Sequence, residues 1–575
     1  TTYDPELYVP LTIVSYQLDY MIGGTSPFIY HAHSLALHVI NAILVAWLAF
    51  LLSASRRVGM LSGLLWALHP LHVEAVSWAA ALKDVQSTTF FLSSLIAYVY
   101  GRSGDRTRLY WASITLFTLG LLSKVVVIAL PVVLLLLEWR EKGRVSSNTL
   151  VRILPFVALA IVFGCIAVFG KIDVLASSTP WETLLMALKS TVFTLGKLAW
   201  PWDLSVLYPY EGSVSIFAPA FFVPALTLGA VFAAVTLAAQ RSRNVPFAFA
   251  FFLVTLVPTF TNFSKLDSLF ITSDRYAYIP SIGLAFLVAL GIDYALSLPG
   301  RHAFMRTKTT VIWSVTCIVL AVLASLARTQ SLSWNDTESL FRGVLRLYPS
   351  SFIAHNNLGN FYLRQGKTDD AIREFEAGLV DREHARLLNN LGRAYGKKGL
   401  VDTAEKHFRR SLELEPSNAE TYVQFGRMFA DNARSAEAYE AYDTAIALQP
   451  TLAAAYLNRG ALFLDEGHLD EAAKAFNDAA LYDPALAHAR YNLGIIYAKR
   501  GNSDEAIEAY EAAIALQPSF FEARFNLAML YAKKGMLLEA RDQLVAAKKL
   551  RPSNTSLDRA IRQIDDALSA AKDDR

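Results

Sequence analysis

The stretch ALAHARYNLGIIYAKRGNSDEAIEAYEAAIALQP, residues 485–518, decides the fold of the C-terminal part of this chain. Its glycine belongs to a series with a constant step of 34 residues: Gly392, Gly426, Gly460 and Gly494, with Ala528 in the fifth place. Its last residue belongs to a second series with the same step: Pro416, Pro450, Pro484, Pro518 and Pro552. A fixed period of this length predicts a stack of helical hairpins that share one core.

The residue types inside this unit explain the period. Gly494 and Ala506 are small enough to let two helices approach closely, the rings of Tyr497 and Tyr510 fill the space between hairpins, and Pro518 ends the second helix. This pattern resembles the tetratricopeptide repeat. Six units are predicted over residues 351–555, with a helical connector at 328–350 and a capping helix and tail at 556–575. Because such stacks leave a concave groove, we expect a polypeptide or protein partner there.

An amide side chain recurs two residues before the glycine position of each repeat. An amide can donate and accept hydrogen bonds, so it can pair with an extended backbone of any sequence. In the repeat-bearing sugar transferases of the nucleus and cytoplasm, a similar column holds the acceptor peptide. The alternative is that these amides bond neighbouring helices. The candidate groove residues are Asn357, Asn390, Gln424, Asn458, Asn492 and Asn526.

Before residue 328 the chain is far more apolar. Hydrophobic residues make up 54% of the whole sequence and charged residues 18%, above and below the usual globular values. Several apolar runs approach the ~20 residues that a helix needs to cross a bilayer, and shorter runs would tilt or form half-helices. We predict an all-α chain with an outward-facing segment at 1–27, a polytopic membrane domain of about ten spans at 28–327, and the repeat solenoid. The runs cover residues 28–52, 58–68, 85–100, 109–122, 125–139, 153–169, 217–239, 245–261, 278–296 and 309–326.

Positive charge falls in alternate connections between these runs. Five clusters of arginine and lysine begin at Arg56, Arg102, Arg140, Arg241 and Arg301. The positive-inside rule places them in the cytoplasm and the intervening loops, together with the repeats, on the other side of the membrane. The net charge of +3 and the absence of a basic stripe with interleaved aromatics argue against a nucleic-acid partner.

Most of the candidate chemistry lies in the predicted outward loops, at 69–84, 124, 171–216 and 262–276. Ionisable groups at membrane depth are costly and usually face a protein interior or a wet cavity. Here they converge on the membrane face where a phosphate-bearing lipid headgroup would be handled. The histidines have no third ligand at metal spacing, so no metal site is expected. The candidates for binding a donor phosphate and sugar are His69, His72, Glu74, Lys83, Asp84, Lys124, Asp274 and Arg275.

Each of these candidates has a structural alternative. The two histidines could cap a helix and bond carbonyl groups. The two lysines could extend to the membrane interface without binding anything. The neighbours Asp274 and Arg275 could form a structural ion pair.

The order of several motifs resembles a known family. They are the stretches 8–12 (YVPLT), 28–45, 68–78 (LHPLHVEAVSW), Lys83-Asp84, 121–124 (LLSK) and 274–280 (DRYAYIP), followed by the repeats. Together they resemble the transmembrane and tetratricopeptide-repeat protein O-mannosyltransferases and their bacterial relatives. The wider class is the multi-spanning type C glycosyltransferases.

The resemblance implies a reaction. A carboxylate would deprotonate an acceptor Ser or Thr hydroxyl of a polypeptide, which attacks the anomeric carbon of a polyprenyl-phosphate sugar, with mannose as the expected sugar. Lys83, Lys124 and Arg275 would stabilise the leaving phosphate, and nearby acids would orient them or bind sugar hydroxyls. No cofactor is firmly implied, and a requirement for a divalent metal is left open. A bacterial inner membrane is the expected location.

The family usually places an acidic pair just after its first membrane helix. Neither that helix nor that pair is recognisable here, so the catalytic base is expected upstream of Thr1. The weak candidates within the chain are Asp4 and Glu6, with Asp19 further on. The alternative function is a non-enzymatic membrane scaffold whose repeats assemble proteins of the cell envelope.

Overall fold

The computed structural model describes residues 9–102, 106–169, 179–210, 212–265, 268–299 and 302–573. Asp4 and Glu6, the weak candidates for a base, lie outside these residues. The chain divides into two compact units, an N-terminal unit that ends at Ser351 and a repeat unit that begins at Phe352.

The N-terminal unit is helical, as its apolar runs predict. Two pairs of neighbouring helices, α2 with α3 and α5 with α6, pack along their lengths, and buried rings such as Phe91, Phe117 and Phe156 fill the core between helices. The helices are α1 (Pro10–Gly23), α2 (Pro27–Ser53), α3 (Arg56–Ala67), α4 (Val73–Ser77), α5 (Leu82–Gly101), α6 (Thr107–Ser123), α7 (Leu130–Lys142), α8 (Ser147–Phe169), α9 (Pro180–Ala199), α10 (Pro219–Ala239), α11 (Asn244–Leu256), α12 (Ser281–Ser297), α13 (His302–Leu332) and α14 (Thr337–Leu347).

Within the described part of the chain, four stretches of helix are long and apolar enough to cross a membrane. They are Pro27–Ser53, Ser147–Phe169, Pro219–Ala239 and Arg306–Leu332, and shorter apolar helices cover Asn244–Thr259 and Ser281–Ser297. Other predicted runs form short helices, such as α3 with 12 residues and α7 with 13. A count of about ten spans therefore stays a prediction.

The prediction of a loop at 171–216 is wrong over residues 180–199, which form helix α9. A capping box begins this helix: Glu182 N donates to the Thr179 hydroxyl at 3.2 Å, and Thr179 N donates to the Glu182 carboxylate at 2.9 Å. Thr179 and Glu182, three residues apart and followed by apolar residues, are the sequence signal that was missed. A small antiparallel sheet follows, in the order β1 (Pro209–Tyr210), β3 (Ser268–Phe270), β2 (Ser264–Lys265).

The repeat unit consists of six helical hairpins and a final helix. Its helices are α15 (Phe352–Arg364), α16 (Thr368–Ala377), α17 (Ala385–Lys397), α18 (Val401–Leu414), α19 (Ala419–Asp431), α20 (Ser435–Leu448), α21 (Ala453–Asp465), α22 (Leu469–Tyr482), α23 (Ala487–Lys499), α24 (Ser503–Leu516), α25 (Phe521–Lys533), α26 (Leu537–Leu550) and α27 (Thr555–Asp573). The glycines of the first five hairpins mark a close approach between the two helices. At Gly494, for example, a Cβ atom would lie 2.6 Å from the ring of Tyr510.

The turn inside each hairpin also requires an unusual backbone. Five of the six turns use a glycine with φ between 74° and 84°: Gly366, Gly399, Gly467, Gly501 and Gly535. The turn between α19 and α20 uses Ala433 instead, with φ of 57°. A Cβ atom makes this left-handed conformation costly.

We therefore expect Ala433→Gly to stabilise the hairpin α19–α20 by about 1 kcal/mol. Ala433 is exposed, so the substitution removes strain without opening a cavity. Hydrogen exchange of the α19 and α20 amides in the purified chain measures the effect. Ala430→Gly in the same hairpin is the control, because it removes a helix-favouring residue and should weaken the hairpin. A slower exchange rate in both variants would contradict the explanation.

Candidate functional site

Four of the predicted candidates meet in one cluster of the N-terminal unit. Glu74 lies in α4, Asp84 in the first turn of α5, Lys124 directly after α6, and Arg275 in a short 3-10 helix at Asp274–Ala277. Glu74 and Arg275 are separated by 201 residues in the sequence. The cluster is therefore assembled by the packing of the segments that join the helices.

Glu74 is the central acceptor of this cluster. Its buried carboxylate accepts from the Ser273 hydroxyl at 2.8 Å and from the backbone N–H of Arg275 at 3.0 Å, and it forms an ion pair with the Arg275 guanidinium. The same guanidinium lies 4.9 Å from the centre of the Trp78 ring and 5.0 Å from that of Tyr276. Arg275 is thus held by an anion and by two aromatic faces.

Lys124 also lies close to the Tyr276 ring. Its ammonium group forms an ion pair with Asp84 and lies 5.9 Å from the Tyr276 ring centre. The side chains of Lys124 and Arg275 are 18% and 12% exposed, whereas those of Asp84 and Glu74 are 6% and 2% exposed. An anion that approaches the cluster therefore reaches the cations before it reaches the carboxylates.

The electrostatics of the two cations differ. Burial lowers the pKa of Lys124, and the charge of Asp84 opposes that shift. Burial also disfavours the charged form of Arg275, yet the charges of Glu74, Tyr276 and Asp84, together with the hydrogen bond to Glu74, outweigh burial, so the pKa of the guanidinium is raised. Arg275 is therefore the more permanent positive charge, and Lys124 is the more easily neutralised one.

Asp274 faces a different set of partners from its neighbour Arg275. Its buried carboxylate accepts a hydrogen bond from the Tyr208 hydroxyl at 2.7 Å. Burial, followed by the negative charge of Glu74, raises the pKa of Asp274 well above its ordinary value. Lys197 lies 5.8 Å from the Tyr208 ring centre. The structural ion pair expected between Asp274 and Arg275 is not the one observed, because Arg275 pairs with Glu74.

The two histidines are buried beside the cluster. His69 bonds the carbonyl of Leu198 at 3.1 Å and accepts from Leu71 N at 3.3 Å, and burial lowers its pKa to about 4. His72 bonds the Ser281 hydroxyl at 2.9 Å. The contacts of His69 match the alternative in which a histidine caps a helix and bonds a carbonyl group, whereas the His72 side chain bonds a hydroxyl and does not cap the helix that follows it. Lys83 is half-buried in the first turn of α5.

Four further residues complete the cluster and were not among the candidates: Ser273, Trp78, Tyr276 and Tyr208. Three of them lie in the motifs 68–78 and 274–280 or, for Ser273, directly before the second motif, so their positions in the sequence were a signal. Tyr208 has no such signal, because its partner in the cluster, Asp274, lies 66 residues away in the sequence.

The predicted groove amides of the repeat unit differ in their contacts. Asn357 and Asn458 each donate to a carbonyl of their own helix, at 2.8 and 2.7 Å. Asn390 donates to the Asn356 side chain at 2.7 Å and Asn526 to the Tyr491 hydroxyl at 3.1 Å, both across hairpins. Gln424 and Asn492 are half-buried. Asn390 also accepts from Arg393 at 2.9 Å, so part of the column orients other polar side chains.

Comparisons with known families identify the C-terminal unit. The family described as tetratricopeptide repeat matches residues 357–419, 389–453, 453–486 and 340–373, and the TPR repeat family matches residues 496–535. A crystal structure of MamA is 28% identical in sequence over 29% of this chain and 97% of that one, with a TM-score of 0.26.

Longer matches join both units. Protein O-mannosyl-transferase TMTC3 of Homo sapiens is 22% identical over 484 residues, which cover 76% of this chain and 47% of the relative. Protein O-mannosyl-transferase Tmtc3 of Drosophila melanogaster is 24% identical over 514 residues, 76% of this chain and 51% of the relative. The chain thus spans about half the length of the curated relatives it matches. In sequence it resembles the TMTC protein O-mannosyl-transferases, and its C-terminal unit carries tetratricopeptide repeats.

Proposed function

We propose that this chain is part of an integral membrane glycosyltransferase that transfers a sugar, with mannose as the leading choice, from a polyprenyl-phosphate donor to Ser or Thr of a polypeptide. The observation that carries the proposal is the pair of partly exposed cations, Lys124 and Arg275, which lie 5.9 and 5.0 Å from the centre of the Tyr276 ring. The names of the similar proteins support the reaction type.

The cations suit the leaving group of this reaction. As the bond between the anomeric carbon and the phosphate oxygen breaks, negative charge develops on the phosphate. Arg275 presents a planar fork that can bind two oxygens, and Lys124 adds a point charge. Glu74 and Asp84 hold these cations in place.

The same cluster contains an acceptor for a sugar hydroxyl. Of the two carboxylate oxygens of Asp84, Oδ1 pairs with Lys124, and Oδ2 is buried without a hydrogen-bond partner among the described residues. A buried carboxylate oxygen without a partner is costly, and a hydroxyl donor would satisfy it. We assign Asp84 to the sugar and Glu74 to the orientation of Arg275.

The repeats supply the second substrate in this proposal. Tetratricopeptide stacks usually hold protein, and the amide column offers backbone-directed hydrogen bonds. We place the repeats on the extracytoplasmic side of a bacterial inner membrane, because the positive clusters lie in the opposite set of connections.

The test is transfer of labelled mannose from polyprenyl-phosphate mannose to protein in membranes that contain the full-length protein. Lys124→Met should reduce transfer at least tenfold, equivalent to about 1.4 kcal/mol of lost transition-state stabilisation. Lys142→Met is the matched control. Lys142 also pairs with a buried acid, Glu138, but it lies at the far end of α7. Its replacement should leave transfer unchanged.

Two outcomes would reject the proposal. Equal transfer in the Lys124 variant and the wild type would remove Lys124 from the reaction. Wild-type membranes that bind polypeptide and transfer no sugar would favour the envelope scaffold.

A further inference from the structure

Helix α1 has its polar side inside the protein and its apolar side outside. Thr12, Ser15 and Asp19 recur at helical spacing and are 1%, 8% and 5% exposed. The residues on the opposite side include Leu18, 53% exposed, and Met21, 79% exposed. This is the reverse of a helix that faces water, which buries its apolar stripe and exposes its polar one.

Every inward polar group of α1 is bonded to another part of the N-terminal unit. The Thr12 hydroxyl donates to the carbonyl of Ser123 at 3.1 Å, and Ser15 accepts from the Gln86 amide at 2.9 Å. The carboxylate oxygens of Asp19 both lie 3.0 Å from Nδ1 of His33. The orientation of α1 is therefore fixed by buried polar bonds, and a rotation that hid its apolar side would break all of them.

These bonds place α1 against the charged cluster. Ser123 immediately precedes Lys124, and Gln86 lies two residues after Asp84. The Tyr16 hydroxyl donates to the carbonyl of Ala79 at 2.8 Å, next to Trp78. One face of α1 thus lies beside the residues assigned to the donor, and its other face is apolar and is not covered by the described residues of the N-terminal unit.

The uncovered face continues onto a candidate membrane span. Helix α2 follows α1 after a short turn, and its outward residues Leu35, Val39 and Ile43 are 55%, 52% and 62% exposed. Helix α1 has 14 residues, which is about 21 Å of helix and too short for the ~30 Å hydrocarbon core. Its surface chemistry matches that of a spanning helix even though its length does not.

We propose that the acyl chains of the bilayer cover the outward face of α1, so that this helix lies in the membrane boundary between lipid and the charged cluster. Continuity with the apolar face of α2 favours lipid over a second protein copy. The polar exceptions on the outward side, Gln17 and Tyr20, suit the headgroup level, where amphipathic side chains are stable. The cluster of Lys124 and Arg275 is then separated from the lipid by a single helix.

Spin labels on α1 test this directly and need no substrate. Cys165 and Cys317 are first replaced by alanine, because both are exposed. Single cysteines at Leu18 and Met21 are labelled in the full chain, reconstituted in phosphatidylcholine–phosphatidylglycerol vesicles. Collisions with oxygen report lipid, and collisions with a polar nickel chelate report water. Val39→Cys on α2 gives the lipid reference, and Leu538→Cys in the repeat unit, 65% exposed, gives the water reference.

We expect labels at Leu18 and Met21 to resemble Val39→Cys, with high oxygen and low nickel accessibility. Nickel accessibility equal to that of Leu538→Cys would place α1 in water and overturn the proposal. Low accessibility to both reagents, with spin–spin broadening that disappears on dilution with unlabelled protein, would identify a second copy and also overturn it. These outcomes are independent of sugar transfer, so the proposed reaction can fail while this inference holds.

Discussion

Replacement of Glu74 by alanine should destabilise the N-terminal unit by about 3–5 kcal/mol, because it leaves the Arg275 charge largely buried and unpaired. It also removes the acceptor for the Ser273 hydroxyl and for the backbone N–H of Arg275. The midpoint of thermal unfolding of the purified protein in detergent, followed by tryptophan emission, measures the loss. Trp78 lies against Arg275, so one of the ten tryptophans that contribute to this emission lies in the affected region.

Two controls separate the buried pair from charge effects in general. Glu141 forms a more exposed ion pair with Arg102, and the Glu141 side chain is 31% exposed. Glu141→Ala should therefore lower the free energy of unfolding by less than about 1 kcal/mol. The double variant Glu74→Met with Arg275→Met removes both charges and should be more stable than Glu74→Ala alone. An unfolding midpoint for Glu74→Ala equal to that of the wild type would show that the pair does not hold these segments together.

In the repeat unit, Gly494→Val should cost about 3 kcal/mol, at the upper end of the range for overpacked cores. A Cβ atom at this position would lie 2.6 Å from the Tyr510 ring, and both residues are buried inside one hairpin. The ring cannot withdraw, because Tyr510 is 3% exposed and packs in the core with Leu527 and Tyr531. Hydrogen exchange of α23 and α24 measures the loss. Normal protection in Gly494→Val would contradict the steric explanation.

The last repeat avoids the same steric clash with a different pair of residues. The glycines of the first five repeats each face an aromatic ring 16 residues later: Phe375, Phe408, Tyr442, Phe476 and Tyr510. In the last repeat Ala528 takes the place of glycine, and the residue 16 later is Leu544, which packs in the same cluster. Gly494→Ala combined with Tyr510→Leu should therefore be more stable than the sum of the two single effects. Simple additivity would reject this pairing.

The repeat unit could be predicted closely, because its contacts are local. Each hairpin pairs residues of a single repeat, so the spacing of Gly494 and its equivalents predicts which residues pack together. The missed helix α9 shows the limit of hydropathy alone, since its start was encoded in Thr179 and Glu182 rather than in an apolar run.

The charged cluster was predicted only as a set of residues. Its candidates were found because ionisable groups at the ends of apolar runs are costly and must find partners. Which residue each charged group pairs with was decided by the tertiary fold. Adjacency in the sequence suggested an ion pair between Asp274 and Arg275. In the structure Arg275 pairs with Glu74, and Asp274 accepts a hydrogen bond from Tyr208.

By itself, the sequence determined the helical repeats, the apolar character of the first 327 residues and the residue types of the cluster, because period and hydropathy are properties of neighbouring positions. Only the tertiary structure decided which carboxylate holds which cation, and that α1 turns its polar side inward. Those choices depend on which distant segments meet, and the free energy of a buried charge or hydroxyl depends on the partner it finds there.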